Sequence, residues 1–416
     1  MRKDAVKNAM KFVWSNYHTR AFGADEMTPL DGLPVNEWGG VGCMLLDSMD
    51  TLWIMDLHAE FEQAKQWVHK ELSFESMGIV SVFETIIRSL GGLLSAYDLS
   101  GDGVFLAKAV ELAERLLPAI NTTTGRAFYY LDAASKSASR PGGLAESGSY
   151  QLEFEYLSRA SGDPKYANLA KKLYPYLLSQ REIQVDGLFA NDIFQVDSAF
   201  KASSLTVTMG GGGDSFYEYL LKVWLLQGQP NNALTKQMYL AAIDGMEKLL
   251  LNQSATGHTY IGDFDLVTKT PVARLAHLAC FVPGLLALGA DRLREEDPLR
   301  SERHLKIAKQ LMETCYKDLY LQQPSRLSPE YVQGPLLQPP PFSGYSAGYK
   351  LRPEVVESLY ERAIQTARLL ENKMETFFPA ETLKYLYLLF DVDNRHVRLD
   401  THVFNTEAHP LSIFRD

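Results

Sequence analysis

Residues 82–117 read VFETIIRSLGGLLSAYDLSGDGVFLAKAVELAERLL, and the two halves suit different environments. From Val82 to Ala96, small and apolar side chains occupy several helical faces, the pattern of a helix enclosed by others. From Val104 to Leu117, one apolar stripe opposes a Lys/Glu face, the pattern of a helix with one side in water. Leu99-Ser100-Gly101-Asp102-Gly103 joins them in a tight turn. Ser161-Gly162-Asp163-Pro164 and Gln227-Gly228-Gln229-Pro230 repeat that punctuation after two later aromatic-rich helices. This is an internal repeat of helical hairpins, inner then outer. Carried round a circle it gives a closed α/α barrel. An open solenoid would need capping repeats, which the sequence does not show.

Helical periodicity extends over 5–17, 42–57, 60–70, 80–98, 103–120, 143–160, 164–180, 213–228, 232–252, 273–290, 301–319, 353–370 and 379–391. These are thirteen helices where strict alternation calls for fourteen. The break comes after Leu359, because Arg352–Leu370 and Pro379–Phe390 both look like inner helices with no outer helix between them. Glycine-rich starts (Gly39-Gly40, Gly142-Gly143, Gly210 to Gly213) precede inner helices and let backbone come close to a central cavity.

The chain has 416 residues, 46% of them hydrophobic and 22% charged, which is ample for a large core and is read as a single domain over 1–416. A net charge of -10 argues against nucleic acid, which requires clustered Lys and Arg. No apolar run reaches membrane-spanning length. The best candidate, Ala276–Ala290, is interrupted by His277 and Pro283. Met1-Arg2-Lys3-Asp4 leads directly into an amphipathic pattern, not a secretory signal. Three cysteines, Cys43, Cys280 and Cys315, are too few for a disulfide scaffold and by themselves leave the redox compartment open.

Several acids sit where an apolar core could not accept them unpartnered. Glu84 and Arg88 lie at i and i+4 in an otherwise apolar inner helix, so they pair or line a polar cavity. Asp214 stands where four glycines become a helix. A capping role explains the aspartate, but four glycines exceed what capping needs and suggest a ligand pressed against backbone. Glu354 and Glu357 follow Arg352-Pro353 at another helix start, where the dipole favours acids. Glu381, after Phe377-Phe378-Pro379, repeats the theme, and Glu153 is a further acid in an inner pattern. Singly, each is more often a cap or an ion pair. Together, with aromatic neighbours, they describe a carboxylate-ringed pocket with stacking platforms, which suits a sugar. Two carboxylates flanking a glycosidic bond are the minimum for its hydrolysis.

Val403-Phe404-Asn405-Thr406-Glu407-Ala408-His409-Pro410-Leu411 closes the chain. Val-Phe reads as a short strand, with Asn-Thr-Glu at the tip of a turn. A threonine hydroxyl and main-chain carbonyl with carboxylates nearby suit a hard cation such as calcium. His409 is placed as a structural residue at the turn's exit.

Taken with DSMDTL (47–52), FETIIR (83–88), GDSFYEYLLK (213–222), HLACFVPG (277–284), LRPE (351–354), FFPAETLKYLYLLF (377–390) and FNTEAHPL (404–411), this sequence resembles the class I α-mannosidases, glycoside hydrolase family 47. The resemblance implies an (α/α)7 barrel plugged by a C-terminal β-hairpin. It also implies inverting, calcium-dependent hydrolysis of terminal α-1,2-linked mannose from high-mannose N-glycans. It places Glu84 and Asp214 on the acid side, where the proton can pass through a water, and Glu354 as the general base. Thr406 would bind calcium directly, with Glu357, Glu381 and Glu407 holding its waters. Arg88, Glu153, Gly212, His277, Arg352, Phe377, Glu381 and Glu407 would meet substrate, Phe377 as the platform beneath the terminal mannose. Cys280 and Cys315 would form the family's disulfide, which points to the lumen of the endoplasmic reticulum or Golgi, and Cys43 would be a buried free thiol.

Three departures shape the expectation. The family's usual N-terminal anchor is not in this sequence, which suits a catalytic-domain fragment or a member targeted otherwise. Gly212, where an arginine goes with removal of one mannose, leans toward broad, Golgi-like trimming. Between Leu359 and Met374 the family carries several tens more residues, including one outer helix, whose loss would bare apolar surface. The competing expectation is a non-catalytic or impaired high-mannose-binding quality-control protein. The retained Glu354 favours the enzyme. A monomer is expected.

Overall fold

The computed structural model describes residues 1–193, 205–231, 233–254, 257–321, 323, 326–333, 350–360, 373–391 and 396–415. Helices dominate it and strands are short, at most five residues. The helical hairpins fall where the turns place them. Gly101 and Gly162 end their helices at φ +71° and +76°, a left-handed conformation that costs glycine least. Asp102 then opens Gly103–Ile120 by accepting the Val104 amide at 3.1 Å. That helix buries one stripe, Phe105, Ala109, Leu112, Ala113, Leu116, Ala119 and Ile120, while Cys43–Ile54 buries every residue except Trp53.

The chain forms two compact units. The first comprises Met1–Ser179, Lys222–Ala233 and Glu371–Asp416; the second comprises Gln180–Leu221 and Leu234–Leu370. In the first, the inner run is α-helical over Val82–Glu84, π-helical over Thr85–Leu90 and α-helical again over Gly91–Ser100. The C-terminal hairpin pairs His402–Phe404 with Pro410–Ser412, Val403 opposite Leu411, and puts Asn405–His409 in the turn as expected. Two glycines let this turn and Cys43–Ile54 come so close. A Cβ on Gly91 would lie 2.5 Å from Asn405 Nδ2, and one on Gly92 would lie 2.4 Å from the Leu46 carbonyl oxygen.

In the second unit the expected helix 273–290 begins differently. Arg274–Ala276 is a strand paired with Tyr331–Gln333, followed by the 3-10 turn His277–Phe281 and then the helix Val282–Leu293. Pro283 explains the late start: it lacks an amide proton and fits only a first helical turn. Cys280 and Cys315 form the disulfide, and Cys43 is free and buried. The expected absence of an outer helix concerns residues 361–372, which lie outside the described residues. A cavity of about 270 Å³ is lined by Pro283, Ala287, Leu305, Ala308, Met312 and Leu359, among others.

These contacts give two expectations of opposite sign. Gly92→Ala must push apart two backbones and should cost about 2–3 kcal/mol in a urea melt. Ala308→Leu adds carbon into existing space and should raise stability by about 1 kcal/mol in the same melt.

Candidate active site

In the first unit the expected site residues gather around Arg88. Its Nε donates to Glu84 Oε2 at 2.8 Å, and its Nη1 donates to Thr376 Oγ1 at 2.9 Å and also to Glu407 Oε1. Asp47 Oδ2 lies 3.7 Å from the same Nη1. The guanidinium carbon stands 5.4 Å from the Trp38 ring and 5.7 Å from the Phe377 ring, so two aromatic faces flank the charge. Burial pushes the Glu407 carboxyl well above the usual range, helped by the charges of Asp47 and Glu84 and opposed by Arg88.

A second network fixes the hairpin tip. Asn405 Oδ1 accepts the amides of Glu407 and His409 at 2.9 and 2.8 Å. Its Nδ2 donates to the Ile87 carbonyl at 2.9 Å and to Glu153 Oε1 at 2.8 Å. Glu153 is therefore fully buried, beneath the tip, in contact with Asn405. The His409 ring spans two carboxylates, Asp50 Oδ2 at 2.8 Å and Asp47 Oδ1 at 3.0 Å. Lys384 Nζ reaches Asp50 Oδ1 at 2.8 Å and the Ala408 carbonyl at 2.7 Å. None of Asp47, Asp50, Lys384, Asn405 or His409 touches solvent.

Because the turn's amides are used internally, the tip presents oxygens. Thr406 stands there, with the buried carboxylates of Glu407 and Glu381 in the same unit. Among the described residues no three His, Cys, Asp or Glu side chains cluster closely enough to hold a metal by themselves. A threonine hydroxyl with buried carboxylates in the same unit is an all-oxygen donor set, which fits a hydrated hard cation, not a transition metal.

The second unit holds the other acids. Glu354 opens the helix Glu354–Tyr360, and its Oε2 lies 3.1 Å from His277 Nδ1. Burial alone would raise the Glu354 carboxyl. The close His277 imidazole and the charge of Arg352 outweigh burial and hold the carboxyl below its ordinary range. Arg352 is gripped by Glu330 in a fork, Nε to Oε1 and Oε2 at 3.0 Å each and Nη2 to Oε2 at 2.6 Å. Glu357 lies one turn after Glu354 and is partly exposed. Asp214 begins the helix Asp214–Leu226 and accepts the Ser215 amide at 2.9 Å. Gly212, at φ +90°, faces Asn191, whose Nδ2 would lie 3.0 Å from a Cβ there.

Thus Glu84 joins Arg88, Phe377 and Glu407, and His277 joins Glu354. The partners missed by sequence reasoning are Trp38, Thr376, Asp47, Asn405, Tyr320 and Glu330. Asp47 and Asn405 lie within quoted motifs, and the density of polar residues at apolar spacing in DSMDTL was a usable signal. Nothing local marks Trp38, Glu330 or Tyr320.

Buried carboxylates with aromatic platforms on a helical-hairpin fold define a glycosidase. The Glycosyl hydrolase family 47 model matches residues 9–362 and 363–413. The chain is 39% identical to mannosyl-oligosaccharide 1,2-alpha-mannosidase MNS1 of Arabidopsis thaliana, over 99% of this chain and 79% of that protein. It is 36% identical to the human mannosyl-oligosaccharide 1,2-alpha-mannosidase IC, over 99% and 70%. The structure of an alpha-1,2-mannosidase from Trichoderma reesei superposes with TM-score 0.83 at 27% identity, covering 99% of both chains. The chain belongs to glycosyl hydrolase family 47, and its fold is the family's (α/α)7 barrel. Members of the family are metal-dependent. The alignment to the Arabidopsis protein runs over 454 positions against 416 residues here, and the family match breaks between Arg362 and Ala363. Both agree with a segment shortened after Leu359. No helix among the described residues is long and apolar enough to cross a membrane.

The His409 clamp has a pH signature. Burial lowers the imidazole's affinity for a proton. Asp50 and Asp47 outweigh it, so the folded-state value lies above the ordinary 6.5. Stability from this group is fully present below 6.5 and lost as pH rises through the folded-state value. His409→Gln should therefore cost about 3 kcal/mol near pH 6 and clearly less near pH 9, read from urea melts at both.

Proposed function

We propose that residues 1–416 act as one catalytic domain, an inverting α-1,2-mannosidase that trims terminal mannose from high-mannose N-glycans. The observation that carries this reading is Glu354, a carboxylate kept ionised by His277 at 3.1 Å and by Arg352. A mostly buried carboxylate whose neighbours favour its ionised form is what a general base needs before it meets water. Glu354 takes a proton from that water as the oxygen adds to the sugar's anomeric carbon. Glu84 and Asp214 supply the proton for the departing glycosidic oxygen, through a second water. The net change is addition of one water, with the glycosidic bond broken and configuration inverted.

Arg88, flanked by Trp38 and Phe377, is suited to the sugar's face and hydroxyls, with Phe377 as the platform. Arg352, set by Glu330, and His277 orient the sugar near the base. Glu153 acts from beneath, through Asn405. Thr406 would hold a calcium ion directly, and Glu357, Glu381 and Glu407 would hold its waters. When bound, such an ion would offer coordination to sugar hydroxyls and so help orient the ring. Gly212 leaves room where a longer side chain would crowd the substrate, which supports broad trimming. The disulfide and the relatives, one of them named as an endoplasmic reticulum enzyme, support a lumenal location, where the protein acts as a monomer on glycoproteins.

The experiment is release of free mannose from a nine-mannose glycan, with calcium or a chelator, and profiling of the products. Wild-type protein should release several mannoses only with calcium, and Glu354→Gln should lose at least about 10³-fold in kcat. A clean stop after one mannose overturns broad trimming. A folded wild-type protein that binds the glycan without release overturns the enzyme in favour of a glycan-binding protein.

A further inference from the structure

His277 is held at three points, and only one of them belongs to the reaction. Its main-chain amide donates to the Glu330 carbonyl at 2.8 Å, its Nδ1 faces Glu354 Oε2 at 3.1 Å, and its Nε2 lies 2.7 Å from the Tyr320 hydroxyl. His277 is 1% exposed and Tyr320 is 6% exposed, so water does not compete freely for either. The carboxylate can only accept, which assigns the proton on Nδ1 to the Glu354 contact. A neutral imidazole with its proton on Nδ1 has a lone pair on Nε2, and a phenol is the natural donor to it.

We infer that Tyr320 is a positioning residue for the general base: its hydroxyl donates to His277 Nε2, fixes the ring as the neutral Nδ1–H form, and so aims Glu354. The inference rests on the reading of Glu354 as the base and deepens it. A neutral ring gives Glu354 Oε2 a polar neighbour at 3.1 Å without a full ion pair. The carboxylate is then oriented through Oε2 while its other oxygen stays basic enough to take the water's proton.

Covalent connectivity supports the arrangement. His277 stands on the 3-10 turn His277–Phe281, and Tyr320 stands on the π-helical run Cys315–Leu321. Cys280, in the first, is joined to Cys315, in the second. Glu330 anchors the His277 main chain and also grips Arg352, so both neighbours of Glu354 share one support.

The test pairs kinetics with a direct view of the ring in the full chain. In 15N-histidine-labelled protein, the His277 signal, identified by its loss in His277→Gln, should show a protonated Nδ1 and an accepting Nε2. In Tyr320→Phe the Nε2 resonance should lose its hydrogen-bond shift. Its kcat should fall about tenfold while KM stays within about twofold, in protein that melts as cooperatively as wild type. A wild-type His277 that is an imidazolium or carries its proton on Nε2 overturns the inference, and so does wild-type kcat in Tyr320→Phe. The wild-type resonance decides even where Tyr320→Phe does not fold. Failure of the underlying reading looks different. Glu354→Gln would then keep wild-type release, whatever the His277 signal shows.

Discussion

A buried chain of alternating charge holds the first unit's site together. Lys384, Asp50, His409, Asp47 and Arg88 alternate in sign from the last helix, across Cys43–Ile54, to the π-helical run, where Arg88 meets both Glu407 and Glu84. Charges this deep are tolerable only as neighbours of opposite charge, because each ion removed from water forfeits several kcal/mol of hydration. Any one member alone would be expelled or neutralised. Together they leave the hairpin only one depth and one orientation at which every charge is matched. The position of Thr406 follows from that condition and not from the turn's own sequence.

The second unit solves a comparable problem with fewer charges and a covalent bond. His277, Glu354, Arg352 and Glu330 form two paired sets, and Cys280–Cys315 ties together the short helices that carry His277 and Tyr320. Three π-helical runs occur among the described residues: Thr85–Leu90, Cys315–Leu321 and Phe378–Thr382. They contain Arg88, Tyr320 and Glu381. An extra residue in a helical turn re-aims the side chains that follow it, and such runs collect where function dictates direction. The apolar cavity between Val282–Leu293 and Pro298–Thr314 is unused packing space beside the helix that carries Glu354.

The hairpin repeat was legible in the chain because its signals are local. Glycine after serine, aspartate before the next helix, and a stripe on one helix but not its partner are all read over a few residues. They placed the helices to within a few positions almost everywhere. The exception, Arg274–Ala276, was misplaced because its strand is made by pairing with Tyr331–Gln333, more than fifty residues away. The candidate acids were also legible, since Glu84, Glu153 and Glu381 sit at core spacing where an isolated charge is costly.

The sequence alone therefore determined the helical repeat, the candidate acids at core spacing and the polar turn that holds Thr406. Only the tertiary structure decided which group each acid meets. It placed Glu153 under Asn405, the His409 ring between Asp47 and Asp50, and Tyr320 behind His277. The reason is physical: helix and turn signals act between neighbours in the chain, whereas pairing of a buried charge depends on which distant helix delivers its counter-charge. Separations such as the 362 residues between Asp47 and His409 leave no trace in local pattern.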